Sequence, residues 1–308
     1  MSATVTAARS QASDFVEMTK PRIALLVLVT TYSGMWLAAN GVLPLDLAVI
    51  TLLGTGLASA ASGVFNNYID RDIDKLMSRT RNRALPTGRM DPQLALAFGS
   101  LLAFTAFVIL FFWVNPLTAW LAIGTIFFYV VIYTAWLKRS SPLCTEVGGV
   151  AGALPPVIGW AAVTGEIGWP ALVMFLIMFL WQPPHFWALA LLRVEEYRRA
   201  GIPMLPVARG TDVTKFRMLA YTVALIPATV AMYWLDLVGL GYLVVALSLG
   251  LIYLRLTINF VIKPVTPQGA RRLFGFSIIY LLILFIMIFV NCQCNGTFYN
   301  GPFTNWSV

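Results

Sequence analysis

The sequence predicts an all-α polytopic membrane protein of nine transmembrane helices, on three observations. Of its 308 residues, 59% are hydrophobic and only 11% are charged, with a mean hydropathy of +0.80. That is too little charge to coat a soluble fold of this size. Apolar runs of about twenty residues recur along the chain, each able to cross a hydrocarbon core of about 30 Å as a helix. Helices satisfy their own backbone polar groups in lipid, and the alternating pattern of a membrane β-barrel is absent. Finally, all 21 basic residues fall on one side of the resulting topology, as the positive-inside rule requires.

Taken in order, residues 1–22 form a polar arm of mixed charge carrying Arg9, Lys20 and Arg22. It has neither the apolar region and cleavage site of a secretory signal nor the acid-free composition of a transit peptide. This favours a bacterial inner membrane, with the arm in the cytoplasm. The spans fall at about 23–42, 45–67, 94–114, 117–137, 146–164, 169–191, 216–235, 238–259 and 273–291, within a single membrane domain over 1–308. The connection after the second span carries Arg71, Lys75, Arg79, Arg81, Arg83 and Arg89; that after the fourth carries Lys138 and Arg139. Arg193, Arg198, Arg199, Arg209, Lys215 and Arg217 follow the sixth span, and Arg255, Lys263, Arg271 and Arg272 lie around the turn from eighth to ninth. The outer loops and the tail, 292–308, have no basic residue. The C-terminus is therefore expected outside and the active face in the cytoplasm.

The net charge of +8 reads as topology plus an anion held at the inner face, not as nucleic-acid binding. Cys144 falls inside and Cys292 and Cys294 outside; a C-x-C pair is too close for an ordinary disulfide, and the cysteines carry no role in this reading. The outer connections are short, whereas 69–92 and 193–215 are long and polar, so function is expected on the inner side.

The second span ends in Asn66-Asn67-Tyr68-Ile69-Asp70-Arg71-Asp72-Ile73-Asp74-Lys75. Asn66, Asp70 and Asp74, spaced four apart, share one helix face with a drift of about 40° per step. Three oxygen donors in a row suit a hard cation such as Mg²⁺, which takes its remaining ligands from water and substrate phosphates. Arg79, Arg81 and Arg83 alternate just downstream. In an extended stretch they would point the same way and grip phosphate oxygens bidentately. A solvated cap, with Asp70, Asp72 and Asp74 paired to Arg71 and Lys75, is the plain alternative; the strict spacing and the asparagine inside the span argue against it.

These residues, with Asn82-Arg83-Ala84-Leu85-Pro86-Thr87-Gly88, resemble the first Asp-rich motif of the UbiA-type intramembrane prenyltransferases. The resemblance implies nine helices around a central cavity, with the N-terminus cytoplasmic. It also implies Mg²⁺ on Asn66, Asp70 and Asp74, bridging an isoprenoid diphosphate, with Arg79, Arg81, Arg83, Lys138 and Arg139 as diphosphate-binding helpers. The family's second motif, D-x-x-x-D, is not matched: anchored on Gly201, its aspartates fall on Arg193 and Tyr197. Glu195 and Glu196 are carboxylates near that place but off register. Trp181-Gln182-Pro183-Pro184-His185-Phe186-Trp187, then Gly201-Ile202-Pro203-Met204-Leu205-Pro206, and Thr19-Lys20-Pro21-Arg22 resemble the protohaem IX farnesyltransferase branch.

That branch implies farnesyl diphosphate and haem b as substrates within the lipid bilayer, and haem O for terminal oxidases as product. It also implies haem A synthase or oxidase assembly proteins as partners, and no nucleic acid. His185, the only histidine, follows a double proline that should kink or open the sixth span and is the candidate haem contact. Tyr129, Tyr133, Trp136, Trp160, Trp181 and Trp187 are mostly belt or packing residues, some of which could face an allylic cation. The rival acceptor is a phenolic quinone precursor or a chlorophyllide. The rivals from other classes are an ion-coupled transporter, which would place its ionisable groups near the midplane, and a non-catalytic assembly factor.

Overall fold

The computed structural model describes residues 11–292; Arg9 and Cys294 lie outside the described residues. Within them every regular element is a helix, apart from a single antiparallel bridge between Val238 and Cys292. A short helix α1 (Gln11–Met18) precedes the first span, α2 (Pro21–Ala38). Then come α3 (Leu45–Asp74), α4 (Pro92–Trp113) and α5 (Pro116–Phe127). The last of these runs on through a π-helical segment (Phe128–Leu137) into α6 (Lys138–Ser140). The fifth span is α7 (Cys144–Ala153) followed by α8 (Pro155–Thr164), and the sixth is α9 (Trp169–Ala190). Two short helices, α10 (Val194–Arg199) and α11 (Leu205–Ala208), lead to α12 (Gly210–Trp234), α13 (Leu240–Ile262) and α14 (Pro267–Asn291).

The helix starts are written locally. Asp91, Asn115 and Thr266 each precede a proline, and each side chain accepts a hydrogen bond from a first-turn backbone N–H. Nine helical segments among the described residues are long and apolar enough to span a membrane, the number expected. Several run further at the charged end than hydropathy suggests. α3 continues to Asp74, α12 begins at Gly210 and α14 at Pro267, because helical hydrogen bonding does not stop where the apolar side chains do. At 30 residues, α3 is about 45 Å long, so its last turns project beyond a core of about 30 Å.

The bundle's outer surface is apolar: Leu25, Phe104, Phe112, Trp120, Trp169 and Leu251 are all exposed, as lipid contact requires. Its interior is dominated by the fifth and sixth spans, the most buried of the nine. α2 packs on α8, and α9 packs on α7, α12 and α14. The α2–α8 approach depends on two glycines. A Cβ at Gly34 would lie 2.1 Å from the Pro156 carbonyl oxygen, and one at Gly159 would lie 1.9 Å from that of Thr31. Small residues that admit a neighbouring backbone are the usual device of membrane helix packing.

The charged residues gather at one end. Lys138 pairs with Asp70, Arg83 with Asp74, Arg217 with Glu146 and Arg89 with Asp14. Lys215 donates to the carbonyls of Val261 and Lys263. These bonds tie the same ends of most spans together. The opposite end of the described residues has Asp46, Glu166 and Asp236 but no lysine or arginine.

Two expectations are corrected. Residues 75–90 are not extended: Thr80 and Arg81 both bond back to the Met77 carbonyl, and Arg83 to that of Thr80. A chain wound in turns sends alternate side chains in different directions, so Arg79, Arg81 and Arg83 do not form a comb. The helix α9 also continues through Pro183 and Pro184 without opening, packed against α7, α12 and α14.

Candidate active site

The final turns of α3 carry Asn66, Asp70 and Asp74 on one buried face, only 5%, 1% and 3% exposed. Burial of this kind requires partners, and the neighbouring elements supply them. The Asn66 amide donates to Asp70 Oδ2 at 2.9 Å and to Thr134 Oγ1 at 3.2 Å. Lys138 Nζ lies 2.5 Å from Asp70 Oδ2, and Arg83 Nη1 lies 2.7 Å from Asp74 Oδ2. Lys20 donates to Asn66 Oδ1.

Each partner arrives by a distinct structural device. Thr134 lies in the π-helical segment, where its hydroxyl donates to the Tyr129 carbonyl five residues back. π-Helical turns occur often at functional sites because they redirect side chains. Lys20 sits between α1 and α2 with φ 52, a left-handed conformation that costs a non-glycine residue about 1–2 kcal/mol. The turn is held by α1: Arg89 grips Asp14 through two hydrogen bonds, Asn67 donates to the Met18 carbonyl, and Phe15 packs edge-on against Phe98. Burial pushes the Lys20 ammonium down to about 7. Arg83 and Lys138 press in the same direction, and Asp70 and Asp74 oppose them.

The donor set suits a hard divalent cation. It comprises two carboxylates and an amide oxygen, all oxygen, and Asp70 Oδ1 is buried with no hydrogen-bond partner. Lys20 donates to Asn66 Oδ1 and Lys138 to Asp70 Oδ2, the oxygens that a bound cation would take over. Among the described residues no three His, Cys, Asp or Glu side chains converge as a complete metal cage. A cation here would draw the rest of its ligands from a substrate.

The other sequence-singled residues separate into two groups. Arg83 and Lys138 join the site directly, and Arg139 donates to the Ile69 carbonyl at its edge. Arg79, exposed at the mouth of the turns, is within electrostatic reach of Arg83, Arg193, Tyr197 and Asp74, and partial desolvation and the two guanidinium groups push it below the usual arginine value. Arg81 is exposed. Glu195 and Glu196 are not brought to the carboxylate row. Glu195 is exposed and paired with Arg198. Glu196 accepts from Ser78 Oγ at 2.9 Å and from Ser78 N at 3.3 Å, clamping α10 to the turns after α3.

His185 lies apart from this row, between α9 and α14. Its ring is sandwiched by Trp181 and Phe274, each with a centroid separation of 4.4 Å. Nδ1 is 2.7 Å from Ser277 Oγ, whose own proton goes to the Phe274 carbonyl at 2.6 Å. The serine has a single proton to give, so it accepts from Nδ1–H. In the neutral ring this leaves the lone pair on Nε2.

Sequence reasoning did not place Lys20 or Thr134 in the site, and it set Arg193 and Tyr197 at the second motif's positions without giving them a role. The Thr19-Lys20-Pro21-Arg22 motif was the one available sign for Lys20.

The profile of the UbiA prenyltransferase family matches residues 27–282. The protohaem IX farnesyltransferase of Aquifex aeolicus (strain VF5) is 48% identical over 285 residues, covering 92% of this chain and 97% of that protein. Among solved structures, a digeranylgeranylglyceryl phosphate synthase aligns with TM-score 0.77 at 17% identity, over 92% of this chain and 98% of its own. A UbiA homologue from Archaeoglobus fulgidus, bound to GPP and Mg²⁺, aligns with TM-score 0.61 at 15% identity, over 89% and 99%. At such identities the structural likeness concerns the fold.

Proposed function

This chain belongs to the UbiA prenyltransferase family, and we propose that it transfers a farnesyl group from farnesyl diphosphate to protohaem IX. The observation that carries this reading is the buried row Asn66–Asp70–Asp74, with an unpartnered carboxylate oxygen and a surround of cations. The extended likeness to protohaem IX farnesyltransferases supports the acceptor.

In this mechanism Asn66, Asp70 and Asp74 are the residues that would hold Mg²⁺. When bound, that ion neutralises the diphosphate and makes it a better leaving group. Lys20, Arg83, Lys138 and Arg79 face the same region and stabilise the negative charge that grows as the allylic C–O bond breaks. Arg139 shapes the edge of the site. The 2-vinyl group of haem b attacks the farnesyl cation, forming the new C–C bond, and a water captures the resulting cation and releases a proton. Farnesyl diphosphate, haem b and water thus give haem O and diphosphate. The apolar bundle delays water until that last step. His185, with its Nε2 lone pair, is proposed to contact the haem.

The basic end is assigned to the cytoplasm by the positive-inside rule, with the C-terminus outside, as in a bacterial inner membrane. Product hand-over to haem A synthase or an oxidase assembly protein follows from the same reading. A transporter is disfavoured because the carboxylates stand at the end of a span and not at its middle.

The test is incubation of the purified protein with farnesyl diphosphate, haem b and Mg²⁺, with haem extracted and analysed by mass spectrometry. A haem O product that disappears in Asp70→Ala and Asp74→Ala supports the reading. Prenylation of 4-hydroxybenzoate in place of haem would overturn the acceptor, and full activity in a folded double variant would overturn the site.

A further inference from the structure

The diphosphate site has two unlike walls, and we infer that the α10 wall is a metal-free one: Arg193, with Arg79, holds the terminal phosphate there, so the site works with a single divalent cation. This rests on the function proposed above.

The Arg193 Nη1 atom is buried and has no hydrogen-bond partner among the described residues. A buried, unpaired guanidinium nitrogen is costly; a fold that keeps one presents it to an anion that arrives with the substrate. Arg193 is the residue preceding α10, and α10 is clamped to the turns after α3 by the two Ser78–Glu196 hydrogen bonds. That clamp brings Arg193 and Tyr197 within electrostatic reach of Arg79.

Carboxylates that might hold a second cation on this wall are otherwise engaged. Glu196 uses both oxygens on Ser78, and Glu195 is exposed and bound to Arg198. The acids turned into the site are Asp70 and Asp74, both on α3. Against those two carboxylates stand Lys20, Arg79, Arg83 and Lys138, and Arg193 adds a fifth cation within electrostatic reach of Arg79. A second divalent ion on the α10 side would be placed among guanidinium groups. A polyanion is what such a wall attracts, and a planar fork matches phosphate oxygens bidentately. The Tyr197 phenol is held in its protonated form by burial and supplies a hydroxyl beside the two arginines.

The test counts metals directly, with Mn²⁺ as the probe. Electron paramagnetic resonance of the full chain in detergent, with a non-reactive farnesyl diphosphate analogue, is expected to show one bound Mn²⁺ per chain. Arg193→Ala should leave that count at one and raise the KM for farnesyl diphosphate about 30-fold, with Arg193→Lys recovering part of the loss. The double variant Arg193→Asp/Tyr197→Asp should acquire a second Mn²⁺. Two Mn²⁺ per chain in the unaltered protein would overturn the inference, as would an unchanged KM in Arg193→Ala. Size-exclusion profiles establish that each variant is folded. Haem O formation by the unaltered protein separates the two readings: its absence fails the proposed function, whereas product together with two bound ions fails this inference alone.

Discussion

Along α3 the bundle buries charge: Asp70 and Asp74 each face a cation at 2.5–2.7 Å. Along α9 and α14 it buries a histidine with no ion partner among the described residues, fixed by one serine and two aromatic faces. Opposite charges brought together out of water are held by strong but mutually dependent bonds, and removing one leaves its partner stranded. The stacked ring is positioned by shape and by a proton relay that ends on a backbone carbonyl. The first arrangement suits a ligand that brings charge. The second suits a flat apolar ligand that needs one lone pair in a set direction.

The contrast is broken most severely at Asp70. Asp70→Ala is expected to lower kcat for haem O formation by about 100- to 1,000-fold, measured by product chromatography. Arg83→Ala should follow at about 10- to 100-fold, because it strands Asp74, whereas the exposed Arg81→Ala should change the rate less than about twofold. That pair of variants separates the turn geometry seen here from a comb of equivalent arginines; equal losses would restore the comb. In the α9–α14 region, His185→Ala should raise the KM for haem about tenfold and alter the haem absorption spectrum, while leaving the KM for farnesyl diphosphate unchanged. Ser277→Ala should show the same selectivity at about threefold, through a freed tautomer. A loss of farnesyl diphosphate affinity in Ser277→Ala would show that the carboxylate row and the histidine region are not independent. The smallest effect is expected at the loop clamp, where Glu196→Gln should raise the KM for farnesyl diphosphate about twofold.

Much of this was legible along the chain. Nine apolar runs and one-sided basic residues dictated the spans, and the spacing of Asn66, Asp70 and Asp74 placed them on one face because a helix repeats predictably. Arg79, Arg81 and Arg83 were misplaced, since alternation in sequence is informative only if the backbone is extended, and Thr80, Arg81 and Arg83 bond back into turns. The grouping of Arg193 and Tyr197 with Arg79 was out of reach, because the Ser78–Glu196 clamp joins residues 118 apart in sequence.

By itself, then, the sequence determined what must be in lipid, where the charge collects, and which three oxygen donors share a helix face. Those properties follow from local composition and from the fixed periodicity of a helix. Only the tertiary structure decided which cations meet those oxygens. Lys20 comes from a strained turn under α1, and Lys138 from the end of the fourth span, just past the π-helical segment that brings Thr134 to Asn66. Each depends on distant segments packing together, and desolvation then makes the pairing of their charges obligatory.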